Sequence, residues 1–322
     1  MKAMVQDIYG SAEVLELKDI DRPPIDDNEV LVRVRASGVN PADWAIMSGL
    51  PYIARPAYGL RKPRNAVRGT DVAGQVEAVG TSVTRFRAGD EVFGWCVGSF
   101  AEYSAASEDA LALKPANLTF EQAAAVPMAG LVALQALRDH GRVQAGQKVL
   151  INGASGGIGT FAVQLAKSLG ANVTGVCSTP NVDLVRSIGA DQVVDYVQDD
   201  FTRGGQQYDF ILDNVGNHSL SDLRRALTPK GTLVPNGGSF DNQWFAGGGR
   251  VISALVLSPF VSQRLRPFLV SPTQADLVVL KESIEATQIT PVIDRTFALA
   301  ETHQAINRVG GGHARGKVVI TM

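Results

Sequence analysis

The stretch that most constrains the fold runs from Lys148 to Lys167 (KVLINGASGGIGTFAVQLAK). It begins with an apolar β-branched run, continues through a glycine-rich turn at 152–159, and ends in apolar residues at helical spacing. A strand, a tight turn and a helix in this order open a dinucleotide-binding βαβ unit. We predict that Gly156 lets the backbone approach a pyrophosphate and that Gly159 lets the helix pack closely on the strand. The helix N-terminus would offer unpaired N–H groups to the phosphates.

The turn departs from the G-x-G-x-x-G pattern at one position, because alanine stands where the first glycine is expected. A plain glycine-rich turn is the alternative interpretation. The required context is nevertheless complete, since a strand precedes the turn, and a helix and a second strand at 172–176 follow it. The residues that we predict to line a dinucleotide site here are Ala154, Ser155, Gly156, Gly157 and Ile158.

Composition places the chain among two-domain globular proteins, with 322 residues, 45% hydrophobic and 19% charged. Its net charge of −2 favours neither nucleic acid nor membrane as a partner. Two cysteines, Cys96 and Cys177, exclude a four-cysteine zinc site and argue against a secreted disulfide framework. The first residues contain no apolar h-region, so we expect no signal peptide and a cytoplasmic location.

Two kinds of hydrophobic pattern divide the chain. Residues 1–122 contain alternating runs and frequent turns, which predict an antiparallel β domain. After a capping-box sequence at Thr119 and Gln122, strands alternate with helices, which predicts a doubly wound parallel sheet over residues 123–265. Residues 266–322 are predicted to return to the first domain, so the fold class is α/β.

Two further assignments concern the later part of the chain. The apolar run 251–257 is predicted to be a strand, and two helical stretches are predicted between residues 259 and 287. The run 316–321 is predicted to be the strand that returns to the first domain.

Several motifs in this order resemble the zinc-free medium-chain dehydrogenase/reductase family, in its quinone oxidoreductase (zeta-crystallin-like) branch. The resemblance covers nearly the whole chain. The segments that carry it are Gly38-Val-Asn-Pro-Ala-Asp43, Gly69-Thr-Asp-Val-Ala-Gly74, 127–137, 152–159, Asp213-Asn-Val-Gly216 and Gly316-Lys317. The resemblance implies a GroES-like β domain, a Rossmann domain and a homodimer formed through the edges of the Rossmann sheets.

The chain differs from the alcohol dehydrogenases of the wider family, which hold a catalytic zinc with two cysteines and a histidine. Asn40 stands at the position of the first cysteine, and Thr70 at that of the histidine. The four histidines, none of them clustered with a cysteine in the sequence, are His140, His218, His303 and His313. We therefore predict no metal, and hydride transfer to electron-poor quinones or conjugated enones, which need only hydrogen bonds to the developing oxyanion.

The resemblance also implies site residues. The catalytic candidates are Asn40, Asp43 and Tyr52. The alternative is that the first two are turn and cap residues and that Tyr52 is a packed loop aromatic. Ligands bind at the carboxyl ends of Rossmann strands. The cofactor candidates beyond the glycine turn are Pro41, Val132, Ser178, Thr179, Asn181, Tyr196, Asn214, Val215, Gly216, Asn236, Gly237, Gly238 and Lys317.

The residues after the second Rossmann strand predict the cofactor. NAD-specific sites place a carboxylate there to hold the ribose 2′-OH, whereas this chain has Ser178 and Thr179. We therefore predict NADPH, with Tyr196 matching a family tyrosine near the 2′-phosphate and Lys317 matching a basic residue near the pyrophosphate. The preference is expected to be weak, because Asn181 follows a proline where many relatives carry a basic residue.

Two other functions are compatible with the same segments. An enoyl-thioester reductase would need a site for a carrier's phosphates, and the basic stretch 55–68 could provide it, although a solvated loop is the simpler interpretation. A non-enzymatic NADPH-binding protein, either crystallin-like or RNA-binding, is the second. The near-neutral charge and the lack of a basic stripe with interleaved aromatics argue against RNA as the main partner.

Overall fold

The structure of the protein, a computed structural model, describes residues 1–237, 244, 248–312 and 314–322. Its chain forms two compact units: the first unit comprises residues 1–131 and 272–322, and the second comprises residues 132–271. The predicted boundaries lay at 122/123 and 265/266. The difference at the first boundary arises because the helix at 120–124 packs on strands of the first unit. Within the described residues, no helix has the length and hydropathy needed to cross a bilayer.

Strands, α-helices and shorter helical turns occupy the following ranges of the described chain. The strands are β1 (Lys2–Gln6), β2 (Leu15–Asp19), β3 (Glu29–Val39), β4 (Asp71–Val79), β5 (Glu91–Trp95), β6 (Tyr103–Ser107), β7 (Leu111–Leu113), β8 (Lys148–Asn152), β9 (Asn172–Cys177), β10 (Gln192–Asp195), β11 (Tyr208–Asp213), β12 (Leu227–Pro235), β13 (Arg264–Leu265), β14 (Ile293–Ala298) and β15 (Lys317–Thr321). The α-helices are α1 (Pro41–Ser48), α2 (Arg55–Tyr58), α3 (Phe120–Ala124), α4 (Pro127–Gln135), α5 (Gly157–Ser168), α6 (Val182–Ser187), α7 (Leu220–Arg225), α8 (Gly248–Leu257), α9 (Gln274–Glu285) and α10 (Thr302–Gly310). A π-helical segment continues α4 at Ala136–Gly141, and 3-10 helices lie at Ala12–Val14, Tyr52–Ala54, Glu108–Ala110, Thr179–Asn181, Ser258–Phe260 and Leu299–Glu301.

The first unit is built on a sheet with the strand order β14-β15-β3-β4-β5-β7, in which β6 also pairs with β3. All pairs are antiparallel except β14 with β15. Strand β3 has the period of two that the sequence predicts, because Val32 and Val34 are buried while Arg33 and Arg35 are exposed. Strand β15 lies between β14 and β3, so the last strand of the chain belongs to the sheet of this unit.

The second unit contains a parallel sheet with the order β10-β9-β8-β11-β12-β13. The chain moves outward from β8 in one direction and from β11 in the other, so the topological switch point lies between these two strands. The central strand β8 is buried over Val149, Leu150 and Ile151, as expected for a strand covered on both faces. The predicted pairing of an antiparallel β domain with a doubly wound parallel sheet is confirmed.

Two assignments in the later part of the chain are wrong. Residues 251–257 belong to helix α8 and not to a strand, because a short continuous apolar run cannot by itself distinguish a strand from a helix. Residues 259–287 contain a 3-10 turn, the short strand β13 and one α-helix, α9, instead of two helical stretches.

Candidate active site and cofactor-binding residues

The loop that carries the catalytic candidates enters helix α1. Asn40 is the N-cap of this helix and Pro41 is its first residue, a position that suits proline because its missing N–H would have no partner there. The backbone N–H of Asn40 donates to Asp43 Oδ2 at 2.8 Å. Asn40 and Asp43 are therefore cap residues, as the alternative interpretation proposed, and both are buried.

Lys317 connects this loop to the sheet. Its Nζ donates to Asn40 Oδ1 at 2.5 Å, to Val39 O at 3.2 Å and to Asp71 Oδ2 at 3.2 Å. Three neighbouring strands make this possible, because β15 and β4 flank β3 on either side. Lys317 is only 3% exposed, and these three bonds use all the protons of its ammonium. It is therefore placed to hold Asn40, and it has no proton left for the pyrophosphate contact that the resemblance implied.

The charge of this buried ammonium acts on two carboxyl groups, of which only Asp71 contacts it. Burial raises the pKa of Asp71, and the positive charge of Lys317 opposes that rise. Burial also raises the pKa of Asp43 to about 7; the Asn40 N–H opposes this rise and the charge of Asp71 adds to it. Asp43 is therefore a carboxyl group that exchanges its proton close to neutral pH.

Thr70 contacts the same carboxyl group and was not among the predicted catalytic residues. Its hydroxyl donates to Asp43 Oδ1 at 3.2 Å, and the residue is half-buried. The signal that could have identified it is its place in the Gly69-Thr-Asp motif, where alcohol dehydrogenases carry a zinc ligand.

The side chain of Asn40 keeps one group without a partner. Its Nδ2 lies close enough to the Asp71 carboxylate to lower that group's pKa, but no acceptor in the described residues is in hydrogen-bonding geometry with it. A buried amide nitrogen without an acceptor is uncommon in proteins and requires an explanation, such as a catalytic role or a ligand that completes the site.

Tyr52 lies in the 3-10 turn before α2. The guanidinium of Arg55 stands over its ring at 4.6 Å and over the ring of Tyr9 at 4.8 Å. This contact agrees with the packed-aromatic interpretation, and a role for Tyr52 as a hydrogen-bond donor to substrate stays a prediction.

Two glycines in the turn of the second unit, Gly156 and Gly159, have different surroundings. A Cβ on Gly159 would lie 2.1 Å from Gly153 O, so close packing of the turn on the helix requires glycine there, as predicted. Of the atoms in the described ranges, a Cβ on Gly156 would meet only Gly153 O, at 3.4 Å. Gly156 is also the N-cap of α5 and offers no side chain to the first-turn amides. The space in front of this helix N-terminus therefore suits a phosphate group.

The other residues of the turn differ in exposure. The side chain of Ala154 is fully buried, so only its backbone could contact a cofactor. Ser155, Gly157 and Ile158 are half-buried. Val132 is half-exposed on helix α4, whose neighbouring residues on either side are buried.

The two strands at the switch point are joined through Asp213, the last residue of β11. Its Oδ1 accepts from Asn152 Nδ2 at 2.7 Å and from Gly216 N at 3.1 Å, while Arg250 pairs with Oδ2. Nε and Nη1 of Arg250 have no partner in the part of the chain that the structure describes. Sequence reasoning missed this arginine because the residues after it were assigned to a strand.

The loops after β11 and β12 contact each other at the same edge of the sheet. Gly237 N donates to Asp213 O at 2.8 Å, and Asn236 Nδ2 donates to Asn214 Oδ1 at 2.9 Å. A Cβ on Gly237 would lie 2.2 Å from the Asn214 carbonyl, so packing of the two loops requires this glycine. Val215 is exposed beside them. Gly238, another cofactor candidate, lies outside the described residues.

The end of the second Rossmann strand is not free of negative charge, which corrects the sequence analysis. Asn181 Nδ2 donates to Ser178 Oγ at 3.0 Å, and Thr179 Oγ1 donates to Asp195 Oδ2 at 2.6 Å. Asp195 ends the neighbouring strand β10, in register with the last residue of β9. The exposed Tyr196 follows it. A carboxylate therefore reaches the predicted 2′-phosphate site from the adjacent strand, where sequence spacing does not reveal it.

The residues at the family's zinc-ligand positions do not form a metal site among the described residues. In the described parts of the chain, no three His, Cys, Asp or Glu side chains lie together as a metal site would require. Burial raises the pKa of Cys96 to about 12 and that of Cys177 to about 11, so both are thiols at neutral pH. Asn40 Oδ1 already accepts from the Lys317 ammonium.

Comparisons with known proteins cover both units. A family profile described as the alcohol dehydrogenase GroES-like domain matches residues 26–116, and one described as zinc-binding dehydrogenase matches residues 188–320. The chain is 35% identical to a mitochondrial NAD(P)H oxidoreductase of Bos taurus, over 100% of this chain and 89% of that protein. It is 32% identical to a 2-methylene-furan-3-one reductase of Solanum lycopersicum, over 99% of this chain and 79% of that protein. The solved quinone oxidoreductase of Coxiella burnetii has a TM-score of 0.87 at 31% identity, over 100% of this chain and 99% of that chain.

The expected cytoplasmic location is wrong. Relatives that match 97–100% of the chain carry names that place them in mitochondria or chloroplasts. The missing h-region bears only on a secretory signal peptide, so the inference from it to the cytoplasm did not follow.

Family membership follows from the match over both units, from the strand order of the two sheets and from the glycine turn at the switch point. The same comparisons bear on activity, since the relatives that span almost the whole chain at 30% identity or more include NAD(P)H oxidoreductases and quinone oxidoreductases. The chain is therefore an enzyme of the medium-chain dehydrogenase/reductase family, in its quinone oxidoreductase branch, and an oxidoreductase with a nicotinamide cofactor.

Proposed function

We propose that the protein reduces quinones or α,β-unsaturated carbonyl compounds with NADPH. The observation that carries the proposal is the replacement of two zinc-ligand positions by Asn40 and Thr70, both tied into a hydrogen-bonded network with Lys317 and Asp43. Such a site offers hydrogen bonds to a developing oxyanion. The names of the relatives, which include a quinone oxidoreductase and a reductase of a conjugated enone, support the same substrate class.

The second unit supplies the cofactor-binding residues. The N-terminus of α5 and the open face of Gly156 would hold the pyrophosphate, and Ser178 and Thr179 would contact the adenosine ribose. NADPH, when bound, supplies the hydride. Asp195 lies against Thr179 and would repel a 2′-phosphate, so we propose a weak preference for NADPH over NADH.

The first unit supplies the proton. Asp43 Oδ2 accepts from the Asn40 N–H, so a proton on this carboxyl group belongs on Oδ1, which faces the hydroxyl of Thr70. When Asp43 carries this proton, the hydrogen bond seen in the structure reverses, and Oδ1–H donates to Thr70 Oγ1. The hydrogen of Thr70 would then pass to the substrate oxygen while Thr70 takes up the proton of Asp43, which leaves Asp43 as a carboxylate. Conjugated acceptors suit this path because hydride transfer to them gives a delocalised enolate or phenolate oxygen, which needs less stabilisation than the alkoxide formed from a simple ketone, and hydrogen bonds can supply it.

A steady-state panel tests the proposal. Small quinones, enones, enoyl thioesters, aldehydes and primary alcohols are compared with NADPH or NADH, with and without a chelator. We expect reduction of quinones or enones that the chelator does not change. Changing Thr70 to valine should lower kcat by roughly 10²–10³-fold, as for the loss of one oxyanion donor, while Thr70→Ser should retain most activity. Efficient alcohol oxidation, or activity that zinc restores after chelation, would overturn the proposal.

We further propose that the protein forms a homodimer through its second unit. Strand β13 is the edge strand of the parallel sheet, and helix α8 and the following turn lie beside it. This region exposes Ile252, Leu255 and Val256, and Phe260 is 82% exposed. An apolar surface next to an open sheet edge is suited to a second copy of the same surface. Changing Leu255 to arginine should convert a dimer into a monomer in sedimentation, whereas Val97→Arg, at an exposed valine of the first unit, should not.

A further inference from the structure

The segment between Asp43 and Asp71 has an unusual charge. It contains five arginine or lysine residues and no aspartate or glutamate, in a chain whose net charge is −2. Its sequence is compatible with a solvated loop or with an anion-binding patch. The structure divides its cations into two groups with different surroundings.

Two of the five cations stabilise the loop itself. Arg55 donates from Nε to Gly49 O at 3.0 Å and stacks on two tyrosine rings. Arg68 is buried and donates to the carbonyl of Asn65. The other three, Arg61, Lys62 and Arg64, are exposed, and none forms an ion pair with a carboxylate in the described residues. Arg64 Nη2 donates to Pro56 O at 3.5 Å, and the charge of Lys62 adds to the hydrogen bond and charge of Lys18 in lowering the pKa of the exposed Asp7. Because these contacts leave all three side chains exposed, their charge is available to a partner.

A short loop that begins at Tyr58 and ends at Arg64 contains these cations and exposes apolar side chains beside them. The Arg64 N–H donates to Tyr58 O at 2.7 Å, which closes a turn with Leu60, Arg61 and Lys62 at its tip. Gly59 makes the turn possible, since its φ is +123° and a Cβ there would lie 2.0 Å from Lys62 O.

Further contacts hold this turn, and large apolar side chains are exposed on it and just before it. Tyr9 fixes the turn further by donating from its hydroxyl to Gly59 O at 2.6 Å, and Pro63 is buried beneath it. Leu60 is 70% exposed at the tip and Ile53 is 61% exposed on the preceding 3-10 helix. Tyr58 is also exposed. Aliphatic and aromatic side chains are thus exposed in the same short segment of the chain as the three cations.

We propose that this surface, formed by Ile53, Tyr58, Leu60, Arg61, Lys62 and Arg64, docks on an anionic membrane surface. Basic side chains are attracted to anionic headgroups, and aliphatic and tyrosine side chains enter the boundary between headgroups and acyl chains. A single phosphate would require cations that converge on one point and are partly buried, whereas these three are exposed at and beside a turn. The expectation of no membrane partner was based on the net charge of the whole chain, −2. That sum hides the local positive charge of this surface, because the rest of the chain carries an excess of acidic residues.

Co-sedimentation with lipid vesicles tests the proposal on the full-length enzyme. Vesicles of phosphatidylcholine alone are compared with vesicles in which about one third of the lipid is phosphatidylglycerol. We expect binding only to the anionic vesicles, weakening as salt is added. Replacing Arg61, Lys62 and Arg64 together by glutamine should lower the partition coefficient by roughly 100-fold.

A second variant and matched controls separate the membrane from other anionic partners. Leu60→Ser should lower vesicle binding by about 10-fold, because a membrane takes up the leucine as well as the charge. Two control variants remove exposed groups elsewhere on the protein and should leave vesicle binding unchanged. One replaces Arg87, Arg186 and Arg203 by glutamine, and the other is Val97→Ser. Equal binding to both vesicle types, or binding that Leu60→Ser leaves unchanged, would overturn the proposal; the second result would instead favour a phosphate or an acidic protein. Reduction of a water-soluble quinone by each variant provides the control for folding.

Discussion

The ammonium of Lys317 lies 2.5 Å from Asn40 Oδ1 and 3.2 Å from Asp71 Oδ2, in a site from which water is almost excluded. Two residues separated by more than 270 positions are thus held together by a charge-assisted hydrogen bond. The bond fixes the orientation of the Asn40 amide, because only its oxygen can accept from the ammonium. Lys317 is therefore a positioning residue for the loop that we place beside the substrate.

Removing this ammonium should destabilise the protein strongly. Lys317→Met leaves the buried carboxylate of Asp71 without its partner, and we expect a loss of about 3–5 kcal/mol in the free energy of unfolding at neutral pH. Urea denaturation measures it. Adding Asp71→Asn should recover part of the loss, because the uncompensated charge is then absent. Lys281→Met, which removes a surface pair with Glu285, should cost less than about 1 kcal/mol.

Asp43 should make stability and activity depend on pH. Its pKa is raised from 3.8 to about 7, so the folded protein binds this proton more tightly than the unfolded chain does. The stabilisation that this bound proton gives the folded state is fully present below pH 3.8, the ordinary pKa of the group. It is lost as the pH rises to about 7, at up to about 1.4 kcal/mol per pH unit in the free energy of unfolding. Relative to Asp43→Asn, the free energy of unfolding of the wild type should fall across this window. In kinetics, kcat should decline above about pH 7 in the wild type. A kcat profile of Asp43→Asn with the same decline would contradict the assignment.

Two glycines of the same turn should respond differently to alanine. Among the described residues, a Cβ at position 156 meets nothing closer than 3.4 Å, so the thermal stability of Gly156→Ala should equal or slightly exceed that of the wild type, while cofactor affinity falls at least about 10-fold. Gly159→Ala forces a Cβ against Gly153 O and should lower stability by about 1–3 kcal/mol. Thermal denaturation and fluorescence titration with NADPH distinguish the two. Gly204→Ala, with open space around it, is the control.

Asp195 should determine how weak the preference for NADPH is. Asp195→Asn retains an acceptor for Thr179 but removes a negative charge from the predicted 2′-phosphate site. We expect the ratio of kcat/KM for NADPH over NADH to rise by about 3- to 10-fold, the effect of a charge at a partly solvated site. Ser178→Asp should shift the ratio in the opposite direction. The fully exposed Asp183→Asn should leave it unchanged, and an unchanged ratio in Asp195→Asn would refute the role of this carboxylate.

The sequence predicts most of this fold because its signals are local. The glycine turn, the capping residues at Thr119 and the alternation in β3 all depend on neighbours in the chain, and the structure has each of them. Helix α8 was not predicted, because there the local pattern is ambiguous. An apolar run of seven residues fits a strand or a helix, and only its packing decides between them.

The sites were less predictable because their contacts join distant strands. Asp195 reaches Thr179 only through the pairing of β10 with β9, and Lys317 reaches Asn40 only through the pairing of β15 with β3. Sequence spacing carries no information on such pairs. The family resemblance identified Lys317 as a site residue but implied that it contacts the pyrophosphate. In the structure it bonds to Asn40 and Asp71 instead. The buried ion pair became visible only with the strand order.

The path of the chain through the two units has a consequence for how the enzyme is made. The second unit is one continuous segment, whereas the first is completed only by residues 272–322. During synthesis, the parallel sheet can fold while β3 still presents an open edge and Asp71 has no counter-charge. Arrival of β15 closes that edge and delivers the ammonium in the same event. A chain that ends before residue 317 would thus keep the complete second unit but would lack the ammonium that holds Asn40 and neutralises Asp71.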